Sequence, residues 1–183
     1  GAASEWSGWK YVGAYNLDTS SNLVLTGVAN AGGTDYVIAD EVLITSDVPP
    51  LTVYVDDNYT ANGPNDGHVW GYDAFATIED GLSAVAVNGM VNVKNGNYSA
   101  TQTMSTNGVT LDGESNTGTV LNTGATNIAI TVAANNVTIK DMKITGNGDG
   151  INAFSVSSLT VQDNVIDNNT FALSGVYLED VTT

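Results

Sequence analysis

The sequence predicts an all-β protein: a β-solenoid with an α-helix over its first turn, preceded by part of an antiparallel β-sandwich. Three observations carry this expectation. A short strand template recurs with a period in the twenties. Runs of β-branched residues alternate with Asn- and Gly-rich bends along most of the 183 residues. Pro49-Pro50 separates an aromatic-rich first segment from the repetitive second one. Proline donates no backbone hydrogen bond and stiffens the chain, so the pair breaks one sheet from the next.

The first segment, 1–47, contains "WKYVGAYNLD", "NLVLTGVAN" and "DYVIADEVLITSD". These apolar runs, punctuated by Gly, Asn and Ser, read as three strands with turns. Roughly forty residues bury too little surface to hold a core alone, so the strands are expected to complete a sandwich. Trp9, Tyr11 and Tyr15 alternate as one strand face would, which favours a buried face. With Trp6 they are also the candidate carbohydrate-binding residues, because aromatic rings stack on sugar faces.

Residues 48–52 form the linker, and the second segment spans 53–183. "TVYVDD" is a strand, and 58–72 is a Gly/Asn/Asp loop. Asp73 is placed to cap a helix from Ala74 to about Val87. Phe75, Ile78, Leu82 and Val85 recur at helical spacing and give it one apolar face. Asn88-Gly89 stops it, and "MVNVKNGNY" returns to strand. From Gly108 the template is small-polar, apolar, Thr, apolar, two polar residues and a bend: "GVTLDGES", "NVTIKDMKI", "SLTVQDNVI". Val137 to Leu159, Ile139 to Val161 and Ile144 to Ile166 are each 22 positions apart, and Gly150 to Gly175 is 25. Such a period, built of short strands and bends, marks a solenoid of stacked parallel strands. Val137, Ile139, Leu159 and Val161 should line its interior. Asp141, Asp163 and Asn164 should stack at bends. The first turn needs a cover, and the amphipathic helix is suited to supply it.

Composition narrows function. Twenty acidic residues face four lysines and no arginine, a formal charge of −16. Nucleic acid, which requires cations to replace phosphate counterions, is excluded as a partner. An anionic membrane is disfavoured likewise, and no apolar run approaches a membrane span. There is no cysteine, so disulfide, thiolate and cysteine–zinc chemistry are absent. The opening "GAASEWSGWK" has neither the basic start nor the apolar core of a signal peptide. Either a signal has been removed or the natural N-terminus lies upstream.

Two resemblances follow from quoted residues. Trp9, Val12-Gly13, Tyr15, Leu17-Asp18 and "YVIADEVLI" (Tyr36 to Ile44) resemble the closing strands of golvesin-like domains, extracellular sandwiches of carbohydrate-binding type. Val12, Leu17, Glu41 and Leu43 depart from that family's usual residues. Val53–Asp57, Phe75–Val85, Gly89–Tyr98 and Val109–Gly113 resemble, in order and spacing, the N-terminal signature of the pectin-lyase-like superfamily. That resemblance implies a right-handed parallel β-helix and identifies a fold better than a function. Because "GVYLEDVTT" opens a turn whose next strand is missing, the chain is expected to be a piece of a longer polypeptide. The alternative is an open end covered by another subunit, which would build a filament.

No catalytic residues are assigned. Lyases resembling this fold use a carboxylate-held cation with an Arg or Lys base; Lys140 and Lys143, near Asp141 and Asp163, read instead as a mixed-charge strand face. Hydrolases need converging aspartates, and Asp141, Asp149 and Asp163 are the clustered candidates, with Asp149 in "GNGDG" reading first as a turn residue. Asp56, Asp57, Asp149 and Asp163 are the candidate calcium ligands, as hard oxygen donors, although turn and capping roles fit them better. No cofactor is otherwise expected. His68, the sole histidine, is expected to pack the loop beneath the helix. The leading function is a structural or adhesive module of a secreted or cell-surface protein, with carbohydrate or copies of itself as partners. The alternatives are the first part of a polysaccharide lyase or glycoside hydrolase, and a filament subunit.

Overall fold

A computed structural model describes residues 9–10, 48–124, 127–146, 148–169 and 175–182. The described chain opens with β1 (Trp9–Lys10), β2 (Thr52–Val55), β3 (Val69–Trp70), β4 (Ala74–Phe75) and helix α1 (Ile78–Ala84). Four coils of three strands follow. The first is β5 (Met90–Val93), β6 (Gly96–Tyr98) and β7 (Gln102–Met104); the second is β8 (Thr110–Gly113), β9 (Thr119–Leu121) and β10 (Ile128–Val132). The third is β11 (Thr138–Lys140), β12 (Lys143–Thr145) and β13 (Asp149–Phe154); the fourth is β14 (Thr160–Gln162), β15 (Val165–Asp167) and β16 (Val176–Glu179). Sheet one runs β1-β3-β4-β2-β5-β8-β11-β14, sheet two β6-β9-β12-β15 and sheet three β7-β10-β13-β16. Every described strand pair is parallel. This is the expected solenoid.

Its register is the one the repeat spacing demands. Ile139 pairs with Val161, Ile144 with Ile166, and Ile151 with Val176, one residue past the Gly150/Gly175 match. Stacking like on like sends one column of each strand inward. Val53, Val91, Leu111 and Ile139 are fully buried in sheet one, with Leu121 and Ile144 in sheet two and Ile130 and Ile151 in sheet three. Removing each such side chain from water contributes about 1.5–3 kcal/mol. Leu159 and Val161 point into the same core but are only partly covered, as is Ile166 beside them.

The bends are held by backbone and asparagine. Asn88, Gly108, Asn136 and Ser158 take φ of 60°, 74°, 57° and 56° at successive levels of one corner. Their amides donate in series to the carbonyls of Asn107, Asn135, Ser157 and Thr182 at 3.0, 2.9, 2.8 and 2.7 Å. Beside them Asn107 Oδ1 accepts from Asn135 N, and Asn135 Oδ1 from Ser157 N, both at 2.8 Å. At the turn from sheet one to sheet two, Asp141 and Asp163 have φ of 56° and 54°. Gly113 occupies the level below, where a Cβ would lie 2.2 Å from the Asp141 carbonyl oxygen. Asn164 ties two layers, accepting from Met142 N at 2.9 Å and donating to the Ile139 carbonyl at 2.8 Å.

Helix α1 is shorter than its sequence pattern. It is capped by Thr77, not Asp73: Thr77 Oγ1 accepts from Asp80 N at 3.2 Å and donates to Asp80 Oδ2 at 2.6 Å. Ala74 and Phe75 are instead taken up as a strand beside Tyr54 and Val55. Asp73 turns to the preceding loop, where its Oδ1 accepts from Val69 N at 2.6 Å. At the far end Val85 is already extended (φ −69°, ψ 139°), so the helix ends at Ala84. Ile78, Leu82 and Val85 are buried against the first layers as expected. Gly81 allows that approach, because a Cβ there would meet Val55 Cγ2 at 2.7 Å. Of the first segment, the described part is β1, whose Trp9 and Lys10 pair in parallel with Val69 and Trp70. β1 thus extends the parallel sheet one and not an antiparallel sandwich; the remainder of the first segment, where the sandwich strands were expected, lies outside the described residues.

Replacing Asn164 by alanine leaves Met142 N and the Ile139 carbonyl without their partner, and should cost about 1–3 kcal/mol. Asn164→Asp keeps an acceptor for Met142 N but sets a carboxylate against a carbonyl oxygen. Its protonated form can donate, so this variant should gain stability relative to the parent as pH falls. Urea unfolding across pH reads both effects.

Candidate functional site

The sequence-derived candidates are scattered. Trp6, Tyr11 and Tyr15 lie outside the described residues, and Trp9 is described through its backbone pairing in β1. Asp56 and Asp57 follow β2, at the head of the loop that leads to β3. Asp56 Oδ1 accepts from the backbone and side-chain nitrogens of Asn58, both at 2.9 Å. Asp57 accepts from Asn58 Nδ2 at 2.9 Å and from Asn97 N at 3.1 Å. Asp163 follows β14, four layers away along sheet one, roughly 19 Å at about 4.8 Å per layer. Its carbonyl accepts from Asn116 Nδ2 at 2.8 Å. Asp149 opens β13 on sheet three. Among the described residues no three His, Asp or Glu side chains come together as a metal site.

The lysines are occupied on other faces. Lys140 Nζ lies 2.7 Å from Asp112 Oδ2 and 3.5 Å from Asp141 Oδ2; Asp112 is its register partner in the layer below. These carboxylates raise the Lys140 pKa above its ordinary value, the Asp112 hydrogen bond most of all. Lys94 lies 3.9 Å from Glu114, and Lys143 3.9 Å from Asp167. Asp163, expected near Lys140, is not among its partners.

Sheet three presents a different outer face, one that the sequence expectations did not single out. Ile151, Ala153, Ile130 and Val132 point inward, so Asn152, Phe154 and Tyr177 point outward by the two-residue alternation of a strand. Asn152 pairs with Tyr177 and Phe154 with Glu179, making a two-by-two grid. The Phe154 and Tyr177 rings are 5.6 Å apart at 50°, and the two residues are 43% and 42% exposed. Tyr177 Oη donates to Glu179 Oε2 at 3.0 Å, and this bond and the carboxylate charge raise the Tyr177 pKa. Asn152 is buried; its Nδ2 donates to Asp149 Oδ2 at 3.2 Å, and its Oδ1 has no partner. One and two layers below Asn152, the corresponding outward positions are Thr131 and Thr103. Laying "GINAFSVSS" over "GVYLEDVTT" is the signal that could have found the grid, because it sets Asn152 on Tyr177 and Phe154 on Glu179.

A second set of contacts involves the loop that follows β2. His68 stacks on Tyr54 with centroids 3.6 Å apart and planes at 14°, and its Nδ1 is 3.5 Å from Asp73 Oδ2. His68 therefore packs its loop through a strand tyrosine and not beneath the helix: Val53 and Val55 are the β2 side chains that meet α1 at Gly81, and Tyr54 lies on the opposite face by strand alternation. Tyr59 Oη donates to Asp66 Oδ2 at 3.0 Å, and Tyr98 Oη donates to the Lys94 carbonyl at 3.0 Å. Both tyrosines are buried. Burial first, and then neighbouring acids, push both hydroxyls well above the ordinary tyrosine range; Asp66 acts on Tyr59, and Asp57 and Asp56 on Tyr98.

No protein-family model matches the chain, and no curated protein matches it. Among solved structures it is similar to a pectin methylesterase mutant in complex with a hexasaccharide: 18% identity, TM-score 0.43, over 70% of this chain and 48% of that one. It is also similar to pectin methylesterase in complex with another hexasaccharide: 19% identity, TM-score 0.40, over 60% and 45%. The chain spans just under half the length of these structures.

A tyrosine whose pKa is raised by folding stabilises the native state below the unfolded value, near 10, and loses that contribution as pH climbs toward the folded value. Tyr59 and Tyr98 should therefore ionise last in an ultraviolet titration, and native stability should fall from about pH 10 upward. Tyr98→Phe should flatten that alkaline decline while losing the bond to Lys94.

Proposed function

We propose that this chain is a carbohydrate-contacting module and that the outer face of sheet three makes the contact. The observation that carries it is the exposed Phe154–Tyr177 pair. Large aromatic rings are normally driven into the core. Here two project side by side from a sheet whose inward positions are already filled by aliphatic residues. Their faces suit the flat apolar side of a pyranose ring, and Glu179, bonded to the Tyr177 hydroxyl, is an acceptor at their edge suited to its hydroxyls. Apolar surface with a few placed polar groups is the usual make-up of a ligand site. The rigid stack beneath fixes their positions without a lid or hinge.

The role is structural or adhesive, in a secreted or cell-surface setting. Every described lysine side chain is committed to a carboxylate on another face, which leaves none to act as a base beside the rings. A second reading, a polysaccharide lyase or glycoside hydrolase, is favoured by one observation: Asp149 is oriented by the amide of Asn152, the register partner of Tyr177, as a working carboxylate would be.

Tyr177→Ala and Phe154→Ala should each weaken binding to soluble oligosaccharides about tenfold, equivalent to roughly 1.4 kcal/mol. Calorimetry against a panel of neutral and charged oligomers measures this. Unchanged affinity in both variants would overturn the contact. Shortened oligomers appearing in the same mixtures, and lost with Asp149→Asn, would establish the enzymatic reading instead.

A further inference from the structure

Resting on the secreted or cell-surface setting proposed above, and not on the sheet-three contact, we infer that Asn97 is a modification site, the attachment point of an N-linked glycan that lies along the outer face of sheet two. Asn-x-Ser/Thr, with x other than proline, is the acceptor motif for such glycans. It occurs at Asn58, Asn97, Asn136 and Asn168. Thr170, the hydroxyl of the last triplet, lies outside the described residues. The other three asparagines have different surroundings. Asn58 Nδ2 is spent on Asp56 Oδ1 and Asp57 Oδ1, both at 2.9 Å. Asn136 is held in the corner column at a φ of 57°, with Gly108 one layer below it and Ser158 one layer above.

Asn97 has neither constraint. It is exposed, as is Ser99, and Tyr98 is buried between them. Its bond to Asp57 Oδ2, at 3.1 Å, is made by the backbone nitrogen and not by the side chain. β6 is the end strand of sheet two, so Asn97 has a register neighbour on one side only. That neighbour is Val120, a half-exposed residue that points outward, since Thr119 and Leu121 on either side of it are buried. One layer is about 4.8 Å. The first sugar on Asn97 therefore reaches Val120 and covers apolar surface otherwise left in water. Val165 lies in the same outward column two layers further on, beyond Lys143. In the transfer, Nδ2 attacks the anomeric carbon of an oligosaccharide carried on a polyprenyl diphosphate. The C–N bond forms, the bond from that carbon to the diphosphate oxygen breaks, and the lipid diphosphate leaves with the electron pair. Nδ2 gives up one of its two protons.

The test incubates the folded chain with a single-subunit oligosaccharyltransferase and a polyprenyl-diphosphate oligosaccharide that begins in N-acetylglucosamine. Intact mass should rise by one glycan, and peptide mapping should place it on Asn97 with at least fivefold higher occupancy than on Asn58 or Asn136. Asn97→Gln and Ser99→Ala should each abolish it, and Ser99→Thr should retain it. Circular dichroism of each variant confirms that the coil is intact. Short peptides spanning the three triplets should be modified to similar extents, because the fold makes the selection. A peptide preference as large as that of the folded chain would place the selection in local sequence and overturn the structural argument. Equal occupancy of Asn58 or Asn136 in the folded chain would overturn it too. Nuclear Overhauser contacts should join the first sugar to the Val120 methyls, and their absence would sink the placement along sheet two. A folded chain left unmodified, whether or not the peptides are accepted, overturns the inference and leaves the sheet-three contact to its own calorimetric test.

Discussion

Parallel backbone pairing between successive coils is the constraint on which the rest of the solenoid depends. Each strand bonds to the one above and the one below, so every coil must return the chain to the same height and phase. Three corners per coil make that return, and several need backbone that L-residues avoid, at a cost of about 1–2 kcal/mol each. The sequence meets this with Asn, Asp, Gly and Ser at positive φ. It then recovers energy by bonding each corner to its neighbour, as Asn88, Gly108, Asn136 and Ser158 do. The asparagines do more than turn the chain: Asn107, Asn135 and Asn164 join layers through their side chains. Once the corners are fixed, which residues face the core follows from strand alternation alone.

That constraint explains what was legible in the sequence. Like sits on like, so the 22-residue spacings give the pairing of Ile139 with Val161 and of Ile144 with Ile166. The spacing widens to 25 at Gly150 and Gly175 because more chain separates β15 from β16 than β12 from β13, and the register absorbs the difference outside the strands. The helix start was less legible. Asp73 and Thr77 are both good caps, and local propensity does not choose between them. The open edge of sheet one chooses, by drawing Ala74 and Phe75 into β4. The His68–Tyr54 stack has no local signal, since it joins a loop to a strand fourteen residues earlier. The Phe154–Tyr177 pair joins residues from adjacent layers, and only the repeat alignment brings them together.

Charge is segregated by the same geometry. A side chain at one outward position meets its counterpart one layer away, so Lys140 finds Asp112 across the register at 2.7 Å. Lys94 and Glu114 meet in the same manner at sheet one's corner, while on sheet two Lys143 reaches Asp167 diagonally, its own register partner being Val165. Such exposed pairs contribute little stability individually. Their effect is on distribution. They commit the described lysine side chains to carboxylates on two faces, while Glu179 on the third is held by the Tyr177 hydroxyl.

The stacking direction also decides how the solenoid carries load. The bonds between layers run along its axis, while the strands lie across it. Tension applied along that axis pulls head-on at one set of interlayer bonds at a time. Neighbour-only contacts make the coils separable units, so extension would peel the stack stepwise and at modest force. Tension across the axis would have to shear several layers together. A coil of this kind resists being pulled sideways far better than being drawn out lengthwise, and the faces that run along its flank are where an attachment holds best.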